Sequence, residues 1–331
     1  MFIVDQYSTA VILCVITMLC WGSWANTTKL TSPSWRFELF YWDYVLGIVL
    51  TALLIALTLG SAGEGGRSFI PDLLQADRSN LLSAFIGGVV FNGANILLGA
   101  SIDIAGMAVA FPVGIGLALV IGVVVNYLDA PVGDAGALFT GVLLVTVAII
   151  LNAIAYRRTG RGAAGVSTKG LLLALISGAM MGLFYRYVAA SMFPDFTVPI
   201  AGKLSPYTAV VLFSGGILIS NLIFNTLMMA RPFRGEPVHF NQYFAGSVRD
   251  HLVGMLGGLI WCMGMSFNMI ASGAAGPAIS YGLGQGATVI AAIWGIHVWK
   301  EFHGSPPGTG RLLGVMLFSY IAGLALIIAA R

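Results

Sequence analysis

The chain has 331 residues, of which 58% are hydrophobic and only 9% are charged, and its mean hydropathy is +0.92. This composition excludes an ordinary soluble protein, in which about 25% of the residues are charged. The formal net charge is +3, and the basic residues form no stripe with aromatic side chains, so the sequence indicates no nucleic-acid-binding surface.

Ten apolar segments follow one another along the chain, most of them long enough for a bilayer crossing of about 20 helical residues. They cover residues 6–28, 44–63, 79–102, 104–128, 135–156, about 168–190 with Arg186 near the end, 204–230, two crossings within 252–296, and 312–330. The first is not predicted to be a cleaved signal peptide, because MFIVDQYS before it contains no Lys or Arg. The sequence predicts an all-α membrane protein with ten transmembrane helices.

A glycine pattern occurs twice, half the chain apart. The segment AGMAVAFPVGIG at residues 105–116 matches AGPAISYGLGQG at residues 275–286 at a constant offset of 170. Other matches are Gly87 and Gly88 with Gly257 and Gly258, Gly22 and Trp24 with Gly182 and Phe184, and Gly141 and Val142 with Gly314 and Val315. The two halves therefore form an internal repeat.

The repeat predicts the architecture. It divides the chain into a five-helix repeat at residues 1–158, a cytoplasmic linker at 159–165 and a second five-helix repeat at 166–331. Because five crossings are an odd number, the second repeat must enter the membrane from the opposite side. Inverted repeats are typical of secondary transporters, which hold the substrate near the midplane where the halves meet.

The positive charges lie mainly in alternate loops. Eleven of the 16 basic residues follow spans 1, 5, 7 and 9: Lys29, Arg36, Arg157, Arg158, Arg161, Lys169, Arg231, Arg234, Arg249, Lys300 and Arg311. Four lie on the other side: Arg67, Arg78, Lys203 and Arg331. Because short cytoplasmic loops accumulate Lys and Arg, we predict that the loop 157–169 is cytoplasmic and that both termini lie outside the plasma (inner) membrane.

The second copy of the glycine pattern is more polar than the first. It has Ser280, Tyr281, Gln285 and Thr288 where the first copy has Ala110, Phe111, Ile115 and Ala118. The spacing of Tyr281, Gln285 and Thr288 is i, i+4, i+7, which places all three on one face of the ninth span. A polar stripe in a membrane helix must meet protein or water, and we expect Gln285 to bind the substrate.

Amide and indole side chains in other spans complete the candidate site. An unpaired amide in hydrocarbon costs several kcal/mol, so each should face the bundle interior. For each Asn, bonding between helices and ligand contact both remain open. The candidate substrate-binding residues are Trp21, Trp24, Asn92, Asn95, Asn225, Trp261, Asn268, Tyr281, Gln285 and Thr288.

Asp43 is the most informative ionisable residue. If the second helix begins near Phe37, Asp43 lies roughly 9 Å inside it. A carboxylate at the centre of a membrane helix costs about 2.5–3.5 kcal/mol, so the group should pair with a cation or take up a proton. No Lys or Arg lies one turn away on the interior side, and Arg186 is a distant candidate. We predict that Asp43 couples protons to transport; the alternative is an interfacial carboxylate in the first helical turn.

Other kinds of site have little support in the sequence. Cys14, Cys20 and Cys262 lie in apolar spans without metal-ligand spacing, and His297 and His303 lack a third ligand nearby, so neither a disulfide nor a metal site is expected. The enzyme motifs HExxH and GxSxG are absent from the sequence, as is a pair of intramembrane aspartates. A channel and a structural membrane protein are the alternatives, but polar residues in one copy of the repeat and not in the other favour a carrier.

Six motifs resemble those of the plant ureide permeases and their bacterial relatives. In chain order they are CWGSW (20–24), FYWDY (40–44), GGVVFNGAN (87–95), NYLDAPV (126–132), LSPYTAVVLFSGG (204–216) and GQGATVIAAIWGI (284–296). This resemblance places the chain with the glucose, ribose and rhamnose porters in the drug/metabolite transporter superfamily. It implies proton-linked import of nitrogen-rich heterocycles such as allantoin or uracil, with a sugar as the alternative substrate.

The central loop departs from the plant pattern. Plant members have a longer loop with a nucleotide-binding motif, whereas residues 160–165 here read GRGAAG and are followed by Val166 and Ser167. The Lys of a phosphate-binding loop is missing, and no strand precedes the glycine. We therefore predict no ATP cofactor. The expected partners are a small-molecule substrate, protons and the lipid bilayer.

The charge asymmetry predicts which loops react with a membrane-impermeant maleimide. In a variant whose Cys14, Cys20 and Cys262 are replaced by Ala, Ala163→Cys should be labelled only after cells are permeabilised. Ser68→Cys, in a loop predicted to lie outside, should be labelled in intact cells and serves as the control. Labelling of Ala163→Cys in intact cells would overturn the predicted orientation.

Overall fold

A computed structural model describes residues 1–105, 107–159, 167–233 and 235–331. Within the helices, the side chains at 103, 107–109, 111 and 112 are also left undescribed. The predicted linker at 159–165 and its GRGAAG sequence therefore lie outside the described residues, apart from Thr159.

The described residues are mainly helical, and none of them forms a β-sheet. The helices are α1 Tyr7–Ser23, α2 Phe37–Leu57, α3 Phe69–Gln75, α4 Arg78–Ala105, α5 Met107–Asp129, α6 Ala135–Arg158, α7 Thr168–Ser191, α8 Pro206–Ala230, α9 Phe240–Phe244, α10 Val248–Ala275, α11 Pro277–Gly284, α12 Ala287–Ile293 and α13 Thr309–Ala329. A 3₁₀ helix, Trp24–Leu30, continues α1, and a π-helical turn, Trp294–Val298, continues α12.

The predicted all-α membrane protein is confirmed. Nine described segments are long and apolar enough to cross a bilayer, and Val113–Asp129, within α5, adds a shorter apolar helix. The ninth crossing is made of α11 and α12 together, and the short helices α3 and α9 lie between crossings. The second crossing begins at Phe37, as the sequence predicts.

Polar caps fix where several crossings begin. Asp134, Ser167, Ser205 and Ser247 each precede a helix and accept a hydrogen bond from a backbone N–H of its first turn. Such caps satisfy N–H groups that have no partner within the helix, and an unpaired N–H is costly at the edge of a membrane.

Glycines bring helices of the two halves into backbone contact. A Cβ at Gly88 on α4 would collide with the carbonyl oxygen of Phe213 on α8. In the same way, a Cβ at Gly258 on α10 would collide with the carbonyl oxygen of Tyr44 on α2. Gly258 is the predicted repeat partner of Gly88, and Phe213 follows Tyr44 at an offset of 169, within one residue of the offset of 170. Small residues permit this close approach, which stabilises helix pairs in lipid.

A second pair of contacts fits the same repeat. A Cβ at Gly22 would lie 2.5 Å from the Ala287 carbonyl oxygen, and a Cβ at Gly182 would lie 3.1 Å from that of Ala118. Helix α1 thus packs on α12 as α7 packs on α5. These paired contacts fit two inverted five-helix repeats.

The bundle has two chemically different ends. One carries the 3₁₀ helix, the ends of α6 and α8, and the starts of α2, α7, α10 and α13. We call it the basic end, because nine described basic residues lie in its loops and helix ends: Lys29, Arg36, Arg157, Arg158, Lys169, Arg231, Arg249, Lys300 and Arg311. At this end Lys29 Nζ lies 3.2 Å from Glu301 Oε1, and the Tyr156 hydroxyl donates to Glu301 Oε2 at 2.6 Å.

Ion pairs also join helices at the opposite end. Arg67 Nη1 lies 3.2 Å from the buried carboxylate of Asp72, which accepts a hydrogen bond from the Ser205 backbone N–H at 2.7 Å. Arg186 forms two hydrogen bonds with Asp129, at 2.5 and 3.1 Å. The distant cation considered for Asp43 is therefore bound to another carboxylate.

The glycine contacts predict a large difference between two alanine substitutions. Gly258→Ala should lower the free energy of unfolding by about 1–3 kcal/mol, because the added methyl group collides with the Tyr44 carbonyl. Gly314→Ala is the matched control, since a Cβ there would meet nothing within 4 Å. Thermal unfolding of the purified variants in detergent measures both effects, and equal stability would contradict the proposed role of the close contact.

Candidate substrate site

A cavity of about 150 Å³ lies between α1, α4, α5, α7, α10 and the interrupted ninth crossing. This volume is small beside the ~300–1,000 Å³ of pockets for drug-sized molecules, so it suits a small metabolite. Six of the ten predicted substrate-binding residues line it: Trp21, Trp24, Asn95, Trp261, Gln285 and Thr288.

Residues that the repeat relates occupy the walls in pairs. Trp24 and Phe184, predicted partners, both line the cavity. The pairs Phe91 with Trp261, Trp21 with Met181 and Ile115 with Gln285 follow the same offsets of 170 or 160. Phe91, Phe184 and Met181 were not predicted as site residues, although applying the offsets to the tryptophans would have identified all three.

Stacked rings make the walls flat and rigid. The rings of Trp21 and Trp261 are 6.0 Å apart and inclined by 12°, and those of Phe91 and Trp261 are 4.5 Å apart. Phe213 stacks against Trp261 at 6.0 Å and 16°. The Trp21 Nε1–H donates to the Trp261 carbonyl oxygen at 3.2 Å. Such rings suit a planar ligand that stacks against them.

The ninth crossing is interrupted beside the cavity. Helix α11 ends at Gly284 and α12 begins at Ala287. Between them, Gly286 N donates to Leu283 O at 2.9 Å, a tighter turn than an α-helix has. The break places Gln285 in the cavity wall. Discontinuous helices of this kind form many transporter binding sites.

Several polar groups of the cavity wall are unpaired. The structure shows no hydrogen bond from the Gln285 amide or from the indole N–H groups of Trp24 and Trp261 to another described residue. Thr288 Oγ1 donates to the Gln285 backbone carbonyl at 3.0 Å. The cavity therefore offers both donors and an acceptor to a ligand.

The other four predicted residues lie outside this cavity and bond one helix to another. The Tyr281 hydroxyl lies 3.2 Å from the Ala118 carbonyl oxygen and 3.1 Å from that of Met181. Asn225 Nδ2 donates to Glu38 O at 2.9 Å, and Asn268 Nδ2 donates to Ser280 O at 2.8 Å. Asn92 bonds to residues of α2 and α8.

Further cavity space adjoins the central cavity at the basic end of the bundle. A larger cavity of about 660 Å³ shares Trp24, Ala25, Asn95 and Leu98 with it and extends to the loops of the basic end. A third cavity, of about 440 Å³, lies at the opposite end and shares no lining residue with the central one.

Buried tyrosines lie between the central cavity and the opposite end. The hydroxyl groups of Tyr185 and Ser280 are 2.8 Å apart, and the Tyr185 and Tyr281 rings are in contact at 5.1 Å. Both tyrosines are fully buried. This layer lies on the side of the site away from the larger cavity.

Asp43 lies outside the cavity, in a separate polar cluster near the basic end. Its side chain is 2% exposed. His251 Nδ1 lies 3.0 Å from both carboxylate oxygens, and the Tyr243 hydroxyl donates to Oδ1 at 2.6 Å. The Trp35 ring packs edge-on against His251 at 5.1 Å. Asp43 thus has a titratable partner that sequence reasoning missed.

The position of His251 in the sequence could have indicated that it lies near Asp43. It precedes the apolar run that begins at residue 252, so it falls at the same end of its crossing as Asp43. Burial, followed by the hydrogen bond and charge of Asp43, raises the pKa of Tyr243, which lies in α9 outside the membrane-spanning segments. Tyr243 therefore stays protonated and donates, while Asp43 and His251 are placed to exchange a proton.

Comparison with known proteins gives a consistent result. The profile of the ureide permease family matches residues 40–165 and 163–330. Ureide permease 1 of Arabidopsis thaliana is 23% identical over 386 residues, covering 100% of this chain and 99% of its own. Ureide permease 2 of the same plant is 23% identical over 394 residues, with the same coverage. A protein of known crystal structure, 17% identical, aligns over 96% of each chain with a TM-score of 0.65, which shows a shared fold.

Proposed function

The chain belongs to the ureide permease family, and from this premise we propose that it is a proton-coupled carrier of ureides such as allantoin or nucleobases such as uracil. The observation that carries the proposal is the central cavity, where flat aromatic walls surround unpaired hydrogen-bonding groups. Membership of a permease family makes the protein an integral membrane transporter rather than an enzyme.

The cavity fits the chemistry of a ureide. A urea group is planar and presents a carbonyl acceptor flanked by N–H donors. Stacking on aromatic side chains favours such a plane, by about 1–3 kcal/mol per base in complexes with single-stranded nucleic acids. Indole N–H groups of Trp24 and Trp261 suit the carbonyl, and the Gln285 amide suits either partner. A sugar ring is puckered and carries hydroxyl groups around its edge, so it uses flat walls less well.

The arrangement of the cavities supports a carrier over a channel. A channel needs a continuous path, whereas here the layer containing Tyr185 and Tyr281 separates the central cavity from the opposite end. If the basic end faces the cytoplasm, this structure corresponds to an inward-open state in the plasma (inner) membrane. Alternating access then requires that the layer opens as the basic end closes.

Asp43 and His251 provide a route from proton binding to the substrate site. Protonation of Asp43 removes its charge and weakens its attraction to a protonated His251 on α10. The next residue on α2, Tyr44, packs 4.6 Å from the Trp24 ring and 6.4 Å from the Trp261 ring. A change in how α2 packs on α10 therefore moves both walls of the cavity.

The first prediction of this function separates Gln285 from Tyr281. Gln285→Ala should weaken allantoin binding about two- to tenfold, because it removes one hydrogen bond worth about 0.5–1.5 kcal/mol. Tyr281→Phe should instead lower thermal stability, since its hydroxyl joins α11 to α5 and α7. Equilibrium binding and thermal unfolding on the same preparations measure both. Unchanged allantoin affinity in folded Gln285→Ala would contradict the role of this amide.

The second prediction concerns proton coupling. In proteoliposomes, Asp43→Asn should abolish allantoin accumulation driven by an imposed pH difference, while exchange of labelled for unlabelled allantoin continues. His251→Gln should shift the pH dependence of accumulation, because it removes the titratable partner of Asp43.

Asp129→Asn is the control for this experiment. It removes a carboxylate that also pairs with a cation, Arg186, but at the exposed opposite end. This variant should retain accumulation driven by the pH difference. Persistent accumulation in Asp43→Asn would show that another group carries the proton, and current without exchange in the parent protein would indicate a channel.

A further inference from the structure

Asn95 stands at the end of a chain of hydrogen bonds that begins in the buried core. Ser220 Oγ donates to the Gly216 carbonyl oxygen at 2.7 Å, within α8. Asn92 Nδ2 on α4 donates to Ser220 Oγ at 2.9 Å. The Tyr41 hydroxyl on α2 lies 3.0 Å from Asn92 Oδ1 and 3.0 Å from Asn95 Nδ2.

The backbone carbonyl groups of α8 determine which atom donates and which accepts in each of these hydrogen bonds. A hydroxyl has one proton, and that of Ser220 is directed to a backbone carbonyl, so Ser220 accepts from the Asn92 amide. Asn92 Nδ2 also lies 3.4 Å from the Ile217 carbonyl oxygen, which can only accept. The amide nitrogen of Asn92 therefore faces α8, and its oxygen faces Tyr41.

The orientation of Asn92 in turn fixes the orientation of the Asn95 amide. Because the Tyr41 proton points to Asn92 Oδ1, the Tyr41 oxygen accepts from Asn95 Nδ2. This leaves Asn95 Oδ1 without a donor among the described residues, in a side chain that lines both the central cavity and the larger one. Reversing the chain would place two oxygens together in a fully buried site, which costs about 1–3 kcal/mol per unpaired group.

We propose that Tyr41 and Asn92 are positioning residues that hold Asn95 as a fixed hydrogen-bond acceptor, and that the site selects substrates presenting an N–H at this point. This inference rests on the proposed function and specifies which chemical group a substrate must carry. Gln285 contrasts with Asn95, because its amide has no partner and can present either end. One fixed acceptor and one adaptable amide would accept cyclic ureides, lactams and nucleobases and reject analogues without N–H groups.

A fixed acceptor at Asn95 should make a cyclic urea bind more tightly than the matching cyclic carbonate, and the ratio of the two affinities tests it. Imidazolidin-2-one, a cyclic urea, and 1,3-dioxolan-2-one have the same ring size and carbonyl, but ring oxygens replace both N–H groups in the second. Inhibition of allantoin exchange in proteoliposomes should favour the urea by about tenfold or more in the parent protein. In Tyr41→Phe, which keeps the ring but removes the hydroxyl, the Asn95 amide is free to turn and the ratio should fall towards one.

A second variant reaches the same result by a different change. Asn92→Ala removes the acceptor for the Tyr41 proton, so the hydroxyl can donate to Asn95 and the amide reverses; the ratio should fall again. Thr17→Val is the matched control, because it removes another buried interhelical hydrogen bond, to Gly264 O at 2.9 Å, outside this chain. Its ratio should equal that of the parent.

Failure of the proposed transport and failure of the proposed orientation of Asn95 give different results. If neither allantoin nor imidazolidin-2-one binds the parent protein, the proposed ureide transport is wrong. If both bind but folded Tyr41→Phe and Asn92→Ala keep the parent ratio, Asn95 is not oriented by this chain. A general loss of affinity for both probes at constant ratio would show a purely structural role for Tyr41 and would also overturn the inference.

Discussion

Inside a bilayer, a polar group that finds no partner within the protein is costly, and the rest of this structure depends on that constraint. The helices satisfy their own backbone groups, so the polar side chains are the groups that still need hydrogen-bond partners. Asn92 is bonded through both its nitrogen and its oxygen, whereas Asn225 and Asn268 donate through their nitrogens and leave a buried oxygen unpaired. Gln285 has no such partner, and Asn95 has one only for its nitrogen. Asn95 and Gln285 line the central cavity, so their unpaired groups are available to a ligand.

The frame around these groups is nearly symmetric, whereas its polar content is not. Gly88 and Gly258 close equivalent helix contacts in the two halves, and Phe91 and Trp261 occupy equivalent walls. Symmetry of this kind lets one arrangement of contacts open at either end in turn. The difference between Ile115 and Gln285 then gives the shared cavity a polar side and an apolar side. An asymmetric ligand can therefore bind in a single orientation.

The proposed coupling site and the proposed substrate site are separate but mechanically adjacent. Asp43 and Tyr44 follow one another on α2 and face different surroundings: His251 and Tyr243 on one side, Trp24 and Trp261 on the other. A proton and a substrate bound at these sites would bias the same contact between α2 and α10, without touching each other. Coupling through a shared two-state contact needs no direct bond between the ligands.

Much of the fold follows from the sequence alone. Charge-free runs fix the crossings, because a charge in hydrocarbon is costly wherever it falls, and glycines at a constant offset indicate the repeat. The residue types of the site follow too, since amides and indoles are rare among apolar neighbours. Tertiary structure decided their roles: Asn92 and Asn95 are three residues apart on one helix, yet one is fully bonded and the other ends at a cavity. It also brought His251 to Asp43 across 208 residues. Hydrogen bonds depend on distances of a few tenths of an ångström between helices, and those distances arise only when the helices pack.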